Sequence, residues 1–125
     1  MDPIKLGDAL DEIRAYRDFI GQFNYPDNVS RTKACHIKAD DLRQLLDETN
    51  GDGIRCYFGM RTMTDGPLEG RQVTCLVMVG TTWNEDEGTY IDTVLIEGES
   101  KLYELTTPCP DTCDINSPLF NLPHQ

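Results

Sequence analysis

The chain has 125 residues, 38% of them hydrophobic, and its 22 acidic side chains against 11 basic ones give a formal net charge of -11. That length fits a single domain burying roughly 65% of its unfolded surface. The charge argues against direct nucleic-acid binding, which draws its affinity from Lys and Arg neutralising phosphates. Charge is also lopsided: residues 1–71 hold 10 basic and 13 acidic side chains, whereas residues 72–125 set Lys101 against 9 acidic ones.

In chain order, Asp2 before Pro3 reads as a helix start, and Ala9, Ile13, Tyr16, Ile20 and Phe23 follow at helical spacing, which predicts an amphipathic helix over residues 1–24. A polar connection with a short strand at Ala34-Cys35-His36-Ile37 occupies residues 25–38. Acids in the first turn and a shared face for Leu42, Leu45 and Leu46 predict a second helix over 39–49, stopped by Asn50-Gly51-Asp52-Gly53. The period then changes to two. Ile54, Cys56, Phe58 and Met60 alternate with Arg55, Tyr57, Gly59 and Arg61 as a half-buried strand does. Residues 73–79 want burial on both faces and predict a central strand. Tyr90 to Ile96 and Leu102 to Leu105 predict two more strands within a sheet spanning 54–106, and an irregular Pro/Cys-containing tail takes up 107–125. The fold class expected is α+β: two N-terminal helices packed on a three- to five-stranded, mainly antiparallel sheet.

Met1-Asp2-Pro3-Ile4-Lys5 lacks a cationic region backed by an apolar run, and Leu76-Val77-Met78-Val79 is far too short to cross a bilayer. A soluble, cytoplasmic protein that does not engage a membrane is expected, its 5 cysteines reduced by default. Cys56 and Cys75 fall in apolar alternating runs and read as small core residues.

Four groups of residues invite chemistry. Glu48-Thr49-Asn50-Gly51-Asp52-Gly53 resembles the first half of a calcium loop, but Gly59 stands where the bidentate carboxylate belongs, so a helix-to-strand turn is preferred. Cys109 and Cys113, set among Pro108 and Pro110, offer two thiolates to a metal or a local disulfide. Zinc would need two further ligands, for which Cys35, His36 and His124 remain. A redox pair of the thioredoxin kind lacks the helix that activates its first thiol. Arg55, Tyr57 and Arg61 share one strand face and suit a small anion or carboxylate, although such a face equally pairs with the acidic C-terminal half. Trp83 beside Glu85-Asp86-Glu87 has the make-up of a partner-binding surface, an aromatic anchor rimmed by charge, against the alternative of a core-packed Trp beside a solvated turn.

Three blocks, Gly53-Ile54-Arg55-Cys56-Tyr57-Phe58-Gly59, Leu76-Val77-Met78-Val79-Gly80 and Pro108-Cys109-Pro110-Asp111-Thr112-Cys113, resemble those of a group of small bacterial proteins ending in a Cys-Pro-x-x-Cys-type segment. The resemblance covers roughly residues 36 to 119. It implies that the thiol-bearing tail belongs to the design, and it brings no activity, substrate or cofactor. No phosphate-binding glycine loop and no zinc-protease motif occurs, so no catalytic residue is assigned and the balance is against an enzyme. The expected function is a non-catalytic protein-interaction module that engages a protein partner with a basic surface through Trp83, Glu85, Asp86 and Glu87, with no cofactor. The alternatives are a thiol or zinc protein working through Cys109 and Cys113, and a binder or enzyme for a small anion.

Overall fold

The computed structural model of the chain describes residues 1–104, the backbone of residues 106–109, and residues 114–122. Elements run α1 (Leu6–Gly21), β1 (Ala34–Ile37), α2 (Ala39–Thr49), β2 (Gly53–Thr62), β3 (Gln72–Asn84), β4 (Thr89–Asp92), β5 (Leu95–Ile96), β6 (Glu99–Ser100) and β7 (Thr106–Cys109). The architecture is α+β. An antiparallel sheet of order β2-β3-β4 carries the core, and two-stranded ribbons β1-β7 and β5-β6 flank it.

The central place of β3 follows from its composition. Val73 and Val79 are fully buried on one face, with Cys75, and Met78 is buried on the other. The second face is covered by α2, whose Leu45 and Thr49 are buried. Gly80 allows this approach, because a Cβ there would lie 2.1 Å from Thr49 Oγ1. Helix α2 stops where the sequence says it stops: Asn50 takes the left-handed conformation (φ 47°), and Gly51 N–H donates back to Leu46 O at 3.1 Å. The side chain of Asp52 then accepts the Trp83 backbone N–H at 3.0 Å, so the loop's carboxylate serves the sheet.

Several expectations need correction. Helix α1 begins at Leu6, with Ala9 N–H bonded to Lys5 O, and leaves Asp2 and Pro3 outside. Its inward stripe also differs. Leu10, Ile13, Arg14, Arg17 and Ile20 are half-buried, whereas Tyr16 and Phe23 are exposed. The reason is Arg17, which donates to Phe120 O (2.8 Å) and Leu119 O (2.9 Å) and so turns that stripe toward the C-terminal segment. Finally, the strand read over Tyr90 to Ile96 is broken after Asp92. Thr93 N–H still reaches Gly80 O, and Tyr103 exchanges both backbone bonds with Met78 two positions along β3. Residues 94–102 therefore loop out between two pieces that lie along one edge of β3. Lys101 N–H to Val94 O closes the loop's base, and Glu97 and Gly98, both at positive φ, turn its tip between β5 and β6. In place of the strand read at Leu102 to Leu105, the described residues hold that single bridge.

The other edge belongs to β2. Met63 N–H donates to Arg71 O, and the register steps by two, so the odd residues of β2 bond to β3. The N–H and C=O groups of Ile54, Cys56, Phe58, Met60 and Thr62 point away from the sheet. Phe58 is 85% exposed, and Cys56 is exposed rather than part of the core.

Candidate functional site

The register that builds the β3-β4 hairpin also builds a surface. Strands β3 and β4 are joined by Glu85-Asp86-Glu87-Gly88, closed by Gly88 N–H to Asn84 O (2.9 Å) and Glu87 N–H to Asn84 Oδ1 (3.1 Å). Gly88 adopts a φ of +65°, a conformation that costs a residue without a Cβ little. Counting back from this turn pairs Trp83 with Tyr90 across the strands. Their rings meet edge to face at 5.1 Å, and each residue keeps 46% of its surface exposed. Trp83 is thus not core-packed. It stands in the open, fixed by Tyr90 and by its backbone bond to Asp52, with Glu85, Asp86 and Glu87 at the hairpin tip.

The same sheet face continues into a charged cluster. Thr81 pairs with both Gly53 and Asp92, which places Asp92 on the face that carries Arg55 and Tyr57. One oxygen of Asp92 takes Arg55 Nη1 and the other takes the Tyr57 hydroxyl, while Arg55 Nη2 donates to Tyr90 O at 3.1 Å. The Asp92 carboxylate raises the Tyr57 pKa, since its hydrogen bond favours the protonated phenol, and it raises that of Arg55 in the same way, by favouring the protonated guanidinium. Arg61 pairs with Glu104. The anion held by Arg55, Tyr57 and Arg61 is therefore the chain's own pair of carboxylates. Burial, followed by the nearby Glu104, pushes the pKa of the Cys75 thiol up.

Of the candidate thiol and metal residues, the structure brings two stretches together. β1 pairs antiparallel with β7, setting Ala34 opposite Cys109, Cys35 opposite Pro108 and His36 opposite Thr107. The tail thus docks on the strand that carries Cys35 and His36. Cys113 and His124 lie outside the described residues, among which no group of three or more His, Cys, Asp or Glu side chains is placed to hold a metal ion. Cys35 is half-buried, with Sγ 3.9 Å from Thr74 O. Further on, the described residues 114–122 rest on α1 through the Arg17 bonds and on the residue before β1 through Lys33 Nζ, 4.5 Å from the centre of the Phe120 ring.

Tyr90, Asp92 and Asp52 belong to this surface, whereas the sequence places the first two only in a strand and Asp52 only in the turn after α2. Tyr90 was within reach: once the acidic turn is taken as a four-residue hairpin loop, alternation puts Trp83 and Tyr90 opposite each other. Asp52 carries no such signal, because only the fold brings the end of α2 to the hairpin. No helix among the described residues is long and apolar enough to cross a membrane. Comparison with protein-family models, with curated proteins and with solved structures finds no match.

Proposed function

We propose that the protein is a non-catalytic interaction module whose β3-β4 hairpin docks a basic protein segment. The observation that carries this reading is the half-exposed Trp83–Tyr90 pair, whose rings pack edge to face across the strands of a hairpin whose tip carries Glu85, Asp86 and Glu87. A large aromatic side chain that already packs on a neighbour loses less freedom on binding, and carboxylates on the same hairpin steer a cationic partner to it. Truncating such an anchor typically removes about 2 kcal/mol or more of binding free energy, roughly 30-fold in affinity. Affinity capture with the wild-type chain and with Glu85→Gln/Asp86→Asn/Glu87→Gln tests the idea. Capture of a basic partner that weakens with added salt and is lost in the triple variant supports it. A partner held equally by both proteins rules the hairpin out.

A second reading, a thiol or zinc role for the tail, is favoured by the β1-β7 register, which sets Cys109 opposite the neighbour of Cys35 in the chain. Metal analysis of untagged protein, with free thiols counted before and after reductant, decides it. Absence of zinc together with five thiols that react in denaturant without reductant ends that reading.

A further inference from the structure

The chain has twice as many acidic as basic side chains, so an arginine without a carboxylate partner is unexpected. Of the seven arginines, Arg14, Arg43, Arg55 and Arg61 form ion pairs, and Arg17 holds two tail carbonyls. Among the described residues, Arg31 and Arg71 alone have neither. Although 40 positions apart in sequence, both line one cleft of about 360 Å³, together with Tyr25, Pro26, Asp27, Val29 and Ser30.

The cleft is built rather than accidental. Its loop is fastened to the start of β3 by Gln72 N–H to Asn28 O (2.7 Å) and Ser30 N–H to Gln72 O (2.8 Å). Arg71 is oriented by Nε to Ser30 Oγ (2.6 Å) and Nη2 to Val29 O (3.1 Å), which leaves its Nη1 group free of described partners. Arg31 is fixed by Nη2 to Phe23 O (2.9 Å), with its guanidinium 4.9 Å from the centre of the Tyr25 ring. Ser30 Oγ accepts from Arg71, so its hydroxyl proton remains to be given to another acceptor. Two oriented guanidinium groups and one hydroxyl donor around a space of this size match an acceptor-only ligand with several oxygens.

We propose that this cleft binds a small organic oxyanion, a phosphate monoester or a carboxylate, between Arg31 and Arg71. This goes beyond the hairpin reading and is independent of it. Asp27 lines the same cleft and opposes the anion's charge, which gives the site an internal control of opposite sign.

The test is an amide chemical-shift titration with inorganic phosphate, phosphoserine and citrate, each matched for ionic strength by chloride. The expected result is saturable shifts confined to residues 25–31 and 71–72, a loss of affinity of roughly tenfold or more in Arg31→Gln, and tighter binding in Asp27→Asn. A response to phosphate and phosphoserine assigns the phosphoryl class, and a response to citrate alone assigns the carboxylate class. Shifts that chloride reproduces, or no saturable response to any of the three, overturn the site. Should Arg31→Gln fail to fold, Asp27→Asn decides: unchanged or weaker binding overturns the proposal.

Discussion

Replacing Gly80 by Ala asks whether α2 lies on β3 as closely as the structure places it. An added Cβ would sit 2.1 Å from Thr49 Oγ1, 2.8 Å from Thr49 Cβ and 3.0 Å from Thr49 Cγ2. Rotating the Thr49 side chain does not solve the problem. Its hydroxyl is committed to Leu45 O at 2.8 Å, its surroundings are buried, and the Cβ contact is independent of rotamer. The helix end or the strand must move, and overpacking of this kind costs about 1–3 kcal/mol; three contacts on one buried residue place Gly80→Ala toward the upper end. Thr49→Ala removes two of the three clashing atoms along with one local hydrogen bond and one methyl, a loss of about 1 kcal/mol by itself. Urea unfolding of the two single variants and the double variant should therefore show a favourable coupling of about 1 kcal/mol, with the slope of each transition unchanged. A Gly80→Ala protein that unfolds at the wild-type midpoint, or effects that simply add, would refute the packing of α2 described above.

Four further outcomes follow from the same geometry. The Tyr57 and Tyr103 pKa values are raised by their hydrogen bonds to Asp92 and Glu48, so the stabilisation they give is present below the ordinary phenol value of about 10 and lost as pH rises beyond it. Tyrosinate absorbance should lose its latest-titrating components in Tyr57→Phe and Tyr103→Phe. At the acid end, the Tyr103 hydroxyl (2.5 Å) and then Gln44 lower the Glu48 pKa, so its contribution is present above about 4.3 and lost as pH falls further; Glu48→Gln should flatten the acid limb of stability. Among Cys35, Cys56 and Cys75, brief maleimide labelling read by peptide mass spectrometry should modify exposed Cys56 first and reach Cys75 only on unfolding. Phe58→Ser should leave the free energy of unfolding in urea within about 0.5 kcal/mol of wild type, because the ring is exposed, and any self-association through the open β2 edge, read by light scattering, should be lower in the variant.

How far the sequence reaches is clearest at β3. Its run of Val, Cys, Leu and Met on both faces announced a central strand, and α2 was bounded correctly because acids open it and Asn50 closes it. Both signals are local, and they agree with the packing that they serve. Helix α1 was misjudged at its start and on its buried stripe, since the residue that orients it, Arg17, bonds to carbonyls about a hundred positions away. The hairpin excursion at 94–102 was hidden for a related reason. Tyr90 to Ile96 has unbroken β character, and nothing local says that pairing to β3 pauses after Thr93 and resumes at Tyr103. For the functional residues, Trp83 and the acidic turn stood out as an aromatic beside a charge run, whereas the partners of Arg55 and Arg61 depended on which carboxylates the topology delivered. The cleft of Arg31 and Arg71 was the least legible. Its two sides come from separate loops, and its distinguishing mark, guanidinium groups with neither a carboxylate nor the C-terminal segment to hold in an acidic chain, exists only once the partners of every other arginine are known.

Because Trp83 is the single tryptophan, its fluorescence reports on the proposed docking surface. Titrating the protein with a lysine- and arginine-rich peptide should change the Trp83 emission in a saturable way that weakens with added salt and disappears in Glu85→Gln/Asp86→Asn/Glu87→Gln, while an acidic peptide of the same length has no effect. An emission that stays constant with the basic peptide, or that responds equally in the triple variant, contradicts the hairpin as the interaction site.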